Sequence, residues 1–276
     1  MTRRLAICAD GFGRAPSRSE AIAGLARRGR ISAVSCVTSH ADWRTSAALL
    51  SDVPASVERG LHFNLTEGRP LSRELLRVWG RFPTLPKLIA CAHLSAVPRA
   101  ALRAEFDAQF DAFVVATGAP PRFVDGLQHV HHLPVVRDVV LDALARCPTQ
   151  VAVRNTGLVL GPGIERRRIV IERTGGRALL RRLLERGIAH NAALNGVYDR
   201  RAPDYRALMR HWLATVPDQG ALLVCEPDAD TALDTADRAG AGRARERAYL
   251  ESADFEADLR VFDIVLAPVW RVGAWW

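Results

Sequence analysis

The sequence predicts a single α/β domain whose mostly parallel sheet closes, wholly or in part, into a barrel. Three observations favour this fold class. The chain of 276 residues has the composition of an ordinary globular protein, with 49% apolar and 25% charged residues. Short apolar runs alternate with segments of helical periodicity along the chain. The composition shows no break at which a second domain would begin, so we treat residues 1–276 as one domain.

The alternation can be followed from one end of the chain to the other. Short apolar runs, typical of buried strands, occupy residues 5–9, 33–38, 60–65, 123–124, 151–153, 221–225 and 262–266. Apolar residues at helical spacing occupy residues 19–28, 98–117, 135–144, 177–186 and 244–250. The Pro- and Gly-bearing stretch 80–98 and the Ala- and Asp-rich stretch 228–243 are predicted to be loop insertions.

The charge balance at first favours an anionic partner, because the formal net charge is +8 and the sequence pI is about 10.0. Of the 38 basic residues, however, Lys87 is the single lysine. An excess of arginine together with abundant alanine, leucine and valine is typical of a GC-rich genome. We therefore expect no nucleic-acid partner.

Several classes of protein are disfavoured by what the sequence lacks. No run reaches the roughly 18 apolar residues of a membrane-spanning helix, and the first residues lack the pattern of a cleaved signal peptide. The five cysteines are odd in number and have no zinc-knuckle spacing, and no nucleotide-phosphate motif is present. The sequence therefore predicts a cytoplasmic protein with free thiols and no membrane span.

Polar side chains collect where the predicted strands end, which is where parallel α/β folds place their functional groups. Asp10 follows the first strand and His62 lies in the third. Asp125 ends the fourth strand, and Glu226 follows the strand at 221–225. Each has a plainer interpretation, since a strand-end aspartate often caps a helix and a lone histidine often lies in the core. Four such residues together favour a shared site.

Three histidines lie within four residues, as His129, His131 and His132. In an extended segment, the alternation of side chains would put Asp125, His129 and His131 on one face. That face would present a carboxylate and two imidazoles, which suits either metal ligation or acid–base chemistry.

Three segments resemble the YdjC/ChbG family of carbohydrate deacetylases, which includes the hopanoid-biosynthesis HpnK proteins. Residues 9–13 (ADGFG) correspond to the family's A-D-D-F-G, and residues 125–131 (DGLQHVH) correspond to its D-G-H-Q-H-V-H. Residues 60–71 (GLHFNLTEGRPL) match its G-x-H-x-N-L-T-x-G-x-P-L at every defined position. The resemblance implies a distorted (β/α) barrel. It also implies a divalent ion, such as zinc or magnesium, that works with an aspartate base to activate water and cleave the acetamide of an N-acetylated sugar.

The departures from the family pattern fall on its polar site. The resemblance makes Asp10 the retained general base and His62 a retained metal ligand. A metal-site aspartate is Gly11 here, a metal-site histidine is Leu127, and a further histidine credited with acid work aligns with Glu226. Glycine and leucine offer no side-chain lone pair, and catalytic zinc needs about three protein ligands. We therefore expect no ion at the ancestral site, unless neighbouring residues rebuild a site for zinc or magnesium.

Three functions stay open at this stage. The first is hydrolysis of an N-acetylated sugar or amino-sugar derivative at a remodelled site. The second is metal-free chemistry on a sugar-like metabolite, and the third is a non-catalytic sugar-binding or regulatory protein. For catalysis, the candidate bases are Asp10 and Glu226, and the candidate acids are His129 and His131.

The expected partner is a small-molecule sugar or amino-sugar derivative, and a homodimer is left open. Side chains in or beside the cleft-forming segments that suit a hydroxyl-rich ligand are those of Asn64, Thr66, Asp125, Gln128 and Arg154. Buried polar groups without partners are costly, so we expect an empty cleft of this kind to be open to water.

Overall fold

The structure is a computed structural model, and it describes residues 2–162, 165–228 and 238–273. Its strands are β1 (Arg3–Phe12), β2 (Ala33–Cys36), β3 (Glu58–Phe63), β4 (Phe123–Gly126), β5 (Ala152–Val153), β6 (Leu194–Asn195), β7 (Ala221–Cys225) and β8 (Ile264–Leu266). Its helices are α1 (Pro16–Arg27), α2 (Trp43–Ala47), α3 (Arg73–Trp79), α4 (Leu85–His93), α5 (Arg99–Thr117), α6 (Val136–Leu144), α7 (Glu165–Ile171), α8 (Arg177–Glu185), α9 (Tyr205–Ala214), α10 (Arg238–Glu251) and α11 (Ala253–Val261).

The strands form one sheet in which all paired neighbours are parallel. The order across the sheet is β5-β4-β3-β2-β1-β7-β6, and β8 pairs with the first residues of β1. Strand β1 is therefore central, and it is buried from Leu5 to Phe12. Burial on both faces explains why this strand is a nearly continuous apolar run.

Side chains alternate between the two faces of the sheet. The outer face carries larger aliphatic residues, such as Ile7, Val34 and Leu223, which belong to the main core with the helices. The inner face carries a separate apolar cluster that contains small residues, such as Ala6 and Ala152. The small side chains leave room inside the curled sheet for a layer of longer polar groups nearer the carboxyl ends of the strands.

The sheet curls until its edge strand β5 meets the segment that leads into β6. The amide of Val153 donates to the carbonyl oxygen of Ala189 over 2.9 Å. Beyond this bond, Asn155 and Asn191 exchange hydrogen bonds, and we call this pair the amide seam. The Asn155 amide donates to Oδ1 of Asn191 over 2.7 Å, and Nδ2 of Asn191 donates to the Asn155 carbonyl over 3.1 Å. The amide seam makes the sheet a partly closed barrel.

The predicted α/β fold with a parallel, partly closed sheet is confirmed, but the two predicted loop insertions fare differently. The stretch 80–98 contains helix α4, so its prediction as a loop is wrong. Leu88 and Ala92, one helical turn apart, are buried against the core, and a proline is tolerated in the first turn of a helix. The stretch 228–243 lies largely outside the described residues, and helix α10 has begun by Arg238.

The five cysteines are all free thiols, in agreement with the prediction. Cys8, Cys36 and Cys225 are buried, while Cys91 and Cys147 are half-buried. Within the described ranges, no helix is long and apolar enough to cross a membrane.

Candidate active site

Five polar side chains from neighbouring strands meet on the inner face of the sheet, and we call them the polar layer. They are Asp10 on β1, Ser35 on β2, His62 on β3, Asp125 on β4 and Arg154 directly after β5. The register of the sheet sets them side by side, because Asp10 pairs with Ser35 and His62 pairs with Asp125. None of the five is more than 6% exposed. The expectation of a water-filled cleft at these residues is therefore wrong, because they satisfy one another's polar groups.

Arg154 reaches across the inside of the curled sheet and binds carboxylates on both sides of the polar layer. Its Nη1 donates to Oδ2 of Asp10 over 2.7 Å, and its Nη2 donates to Oδ1 of the same carboxylate over 2.6 Å. Nη2 also forms an ion pair with Oδ2 of Asp125 and lies 3.3 Å from Sγ of Cys8. Burial alone would lower the pKa of Arg154, but the two carboxylates raise it well above its ordinary value. Arg154 is therefore a permanent buried cation.

His62 and Asp125 form a hydrogen-bonded imidazole–carboxylate pair. Nδ1 of His62 lies 2.6 Å from Oδ1 of Asp125, and the hydroxyl of Ser35 donates to the same oxygen over 2.6 Å. Burial would lower the pKa of His62, but the carboxylates of Asp125 and Asp10 outweigh it and raise the pKa. Nε2 of His62 has no hydrogen-bond partner among the described residues. This nitrogen is therefore the atom of the pair that is left for chemistry.

Cys8, Asp10 and Asp125 each offer one ligand atom within 4.8 Å of the others, a spacing at which a metal ion could be held. Nη2 of Arg154 contacts side-chain atoms of the same three residues. Burial also raises the pKa of the Cys8 thiol well above its ordinary value, and Asp10 adds to this effect, so the sulfur keeps its proton. A thiol is a poor ligand compared with a thiolate. With Arg154 in this place, the residues present do not fit a bound divalent ion.

Two positions where the family pattern has metal ligands hold apolar residues here. Leu127 is buried. Gly11 has a φ of +90°, and a Cβ built on it would lie 3.0 Å from Nη1 of Arg18. Arg18 is itself buried, and its Nε and Nη2 donate to Oδ2 of Asp228 over 2.9 and 2.7 Å. A second guanidinium therefore occupies the space beside Gly11.

The three clustered histidines lie in a compact turn, so the extended segment predicted for them is wrong. The strand ends at Gly126, and residues 127–132 form a short 3-10 segment in which Gln128 and His129 have left-handed φ values of 53° and 63°. A Cβ on Gly126 would lie 2.8 Å from the backbone nitrogen of His131. The turn therefore packs back onto the strand end, and strand alternation does not place these side chains.

His131 and His132 are tied into the surrounding backbone and hydroxyl groups. Nε2 of His131 donates to the carbonyl oxygen of Arg154 over 2.9 Å. The ring nitrogens of His132 lie 2.9 Å from the hydroxyl of Thr156 and 3.0 Å from that of Thr174. Burial lowers the pKa of both rings, that of His131 to about 3. Both rings are therefore neutral and serve to position the turn.

His129 is half-buried, and its ring stacks on that of His132 with 6.3 Å between the centroids. Its Nδ1 has no hydrogen-bond partner among the described residues. Burial, and then the charge of Arg154, hold the pKa of His129 well below its ordinary value. Of the three clustered histidines, His129 is thus the one with an uncommitted nitrogen and partial exposure.

Asn64, Thr66 and Gln128, expected to bind substrate, have different surroundings. Oδ1 of Asn64 accepts the amides of Thr66 and Glu67, each over 3.0 Å, and its Nδ2 donates to the Glu67 carbonyl over 2.7 Å. Asn64 therefore holds a turn by its own side chain. Thr66 is half-buried and Gln128 is exposed.

Glu226, an expected catalytic residue, pairs with Arg200 at the end of β7. Burial would raise the pKa of Glu226, but Arg200 lowers it below its ordinary value. The backbone amide of Glu226 donates to the buried carboxylate of Glu246 over 2.5 Å. The structure thus ties Glu226 to Arg200 and helix α10.

Sequence reasoning missed three residues that complete this arrangement: Cys8, Arg18 and Ser35. Cys8 lies two residues before Asp10 on the same strand, so the period of two already placed it on the same face. Ser35 is a polar residue inside the apolar strand β2, which is a usable signal. Arg18 gives no such signal, because arginine on a helix is usually a solvated surface residue.

Comparison with known proteins was made against families, curated sequences and solved structures. The family profile described as YdjC-like protein matches residues 4–261. The chain is 34% identical over 167 residues to a carbohydrate deacetylase of Homo sapiens, which is 58% of this chain and 50% of that protein. It is 31% identical over 140 residues to a chitooligosaccharide deacetylase of Yersinia enterocolitica, which is 51% of this chain and 55% of that protein. The chain therefore spans about half the length of the curated relatives it matches.

Among solved structures, the chain is similar to an Enterococcus faecalis V583 protein that is provisionally described as a cellobiose-phosphate cleavage protein. The TM-score is 0.74, the sequence identity is 19%, and the match covers 98% of both chains. At this identity the likeness shows the fold alone.

Proposed function

Because the chain belongs to the YdjC-like protein family, we propose that it hydrolyses the acetamide of an N-acetylated sugar or amino-sugar derivative at a remodelled site. Relatives named carbohydrate and chitooligosaccharide deacetylases support the reaction class. The observation that carries the proposal is the pair of His62 and Asp125 in the polar layer, with Nε2 of His62 unpartnered among the described residues. An imidazole oriented by a buried carboxylate is a recurrent base in acyl transfer.

In the proposed mechanism, the neutral His62 ring takes a proton from water through Nε2 while Asp125 holds Nδ1. The water oxygen attacks the acetamide carbonyl carbon, and the C–N bond then breaks. The amine leaves with the proton that His62 returns, and acetate is the second product. Both oxygens of Asp10 accept hydrogen bonds from Arg154, so this mechanism gives the role of base to His62 rather than to Asp10.

The test is acetate release from a panel of N-acetylated sugars and chitooligosaccharides, with the amine product identified by mass spectrometry. His62→Gln should lower kcat by about a hundredfold or more, which is the usual contribution of a general base. His211→Ala removes an exposed histidine on α9 and should leave the rate unchanged. A His62→Gln variant as fast as the parent would rule out this base.

A second candidate function is a non-catalytic sugar-binding or regulatory protein. The observation that favours it is the burial of the polar layer, since Asp125 and Arg154 have no exposed surface. If the parent binds a sugar in calorimetry but releases no acetate from any member of the panel, the hydrolase proposal fails and this function replaces it.

A further inference from the structure

The position of Arg154 explains how two carboxylates are kept together inside the barrel. Asp10 and Asp125 are 6% and 0% exposed. Leaving two buried carboxylates without a cation costs several kcal/mol, whichever cation supplies the charge. In this chain the guanidinium of Arg154 bonds to both.

The contacts of Nη2 are those that a bound ion would make. It reaches Oδ1 of Asp10 over 2.6 Å, Oδ2 of Asp125, and Sγ of Cys8 over 3.3 Å. The same three side chains provide the group of closely spaced ligand atoms in the described part of the chain. One nitrogen of one side chain therefore sits among three potential ligand atoms, and an ion could not occupy that place at the same time.

A second observation, made on another element, points the same way. The missing carboxylate at Gly11 is matched by Arg18 of α1, whose Nη1 lies 3.0 Å from the place a Cβ would take. This nitrogen is buried and has no hydrogen-bond partner among the described residues. A carboxylate has therefore been lost on the side of the site where a buried guanidinium now lies, as expected if positive charge is already supplied by the chain.

We propose that Arg154 is a built-in cation that replaces a divalent ion among Cys8, Asp10 and Asp125. The protein's own arginine then holds the two carboxylates together and fixes the Asp125 carboxylate that orients His62. The inference rests on the proposed function for its chemical meaning. Its test reads metal binding without substrate, so the two proposals can fail separately.

The test is titration of the purified full chain with Co²⁺, followed by the visible absorption of cobalt and by calorimetry. The parent should show no stoichiometric binding. Arg154→Met frees the place between the two carboxylates while keeping an apolar stem, and it should bind Co²⁺ at least about tenfold more tightly than the parent. Arg154→Lys, which keeps a positive charge there, is the matched control and should bind no better than the parent. Adding Asp125→Asn to Arg154→Met should abolish the gain.

Arg154→Met may lose its fold in metal-free buffer, so melting temperature is measured with and without Zn²⁺. The proposal expects Zn²⁺ to raise the melting temperature of Arg154→Met and to leave that of the parent unchanged. It is overturned if the parent itself binds one Co²⁺ tightly. It is equally overturned if Arg154→Met gains neither Co²⁺ affinity nor Zn²⁺-dependent stability. A parent that hydrolyses no sugar but passes these tests would reject the proposed function alone.

Discussion

The carboxylates of Asp10 and Asp125 are buried, and every neighbour that stabilises them also restricts their chemistry. Arg154 occupies both oxygens of Asp10, which makes that carboxylate a structural anion. Asp125 is shared between Arg154, His62 and Ser35, which leaves it to orient the imidazole. Single substitutions in this group therefore change the charge of a neighbour as well as remove a contact.

Asp125→Asn should lower the pKa of His62 from above its ordinary value of 6.5 to below it, because burial remains while the main opposing carboxylate is lost. NMR titration of the imidazole protons measures this directly. In the parent, a raised pKa means that His62 contributes stability fully below pH 6.5 and loses it as the pH rises through the folded-state pKa. Asp107→Asn, which removes a carboxylate paired with Arg103 on α5, is the control and should leave the titration of His62 unchanged.

Gly11→Ala should lower the free energy of unfolding by about 1–3 kcal/mol, because a side chain is strained at a φ of +90° and would press on Arg18. Gly24→Ala is the control, since this helical glycine of α1 has no atom closer than 3.7 Å to the new Cβ. That change should raise the stability by about 0.5–1 kcal/mol. Chemical denaturation of both variants checks the pair, and equal effects would contradict the backbone argument.

Two elements are held to the barrel by single buried polar side chains rather than by long ladders. Helix α10 is anchored to the end of β7 by Glu246, which accepts the hydroxyl of Tyr198 and the amide of Glu226, each over 2.5 Å. The edge of the sheet at β5 is joined to the segment before β6 by the amide seam. Both attachments place a polar group where water cannot replace a lost partner, so their removal should be costly.

Burial raises the pKa of Glu246 from its ordinary 4.5 to about 7, against the opposing effects of Arg200 and the hydrogen bonds from Tyr198 and Glu226. The folded state then keeps a proton that the unfolded state has released. The free energy of unfolding should fall as the pH rises from 4.5 to about 7, by an amount on the order of 3 kcal/mol. Glu246→Gln should flatten this part of the profile in thermal unfolding. The exposed control Glu20→Gln should keep the parental slope, and an unchanged slope in Glu246→Gln would refute the assignment.

Asn191→Ala should cost at least about 2 kcal/mol of unfolding free energy, because it strands the buried amide and carbonyl of Asn155. Hydrogen exchange at the Asn155 amide should quicken in the same variant. Asn195→Ala is the matched control, since the buried side-chain amide of Asn195 has no partner among the described residues. The control should lose less than about half as much. Similar losses in both variants would show that the amide seam is not special.

For the molecule as a whole, the sequence predicts what depends on period and burial. Apolar runs locate most of the strands, and the strand ends indicate Asp10, His62 and Asp125, which the structure brings together; their roles remain predictions. The two-residue β6 is too short for any periodic signal. The turn at 127–132 escapes prediction because its left-handed angles fall on non-glycine residues. The pairing of Arg154 with Asp10 escapes it because sequence spacing does not show how far a sheet curls.

The central place of β1 also bears on synthesis. This strand leaves the ribosome first, yet its partners β7 and β8 are the last strands to emerge. Until then its apolar residues have β2 as the available strand partner, and one edge of the strand stays open to other chains. Non-local pairing of this kind slows folding and exposes nascent strands to aggregation. The arrangement that places Asp10 at the centre of the barrel thus makes the newborn chain dependent on protection by chaperones until its final strands arrive.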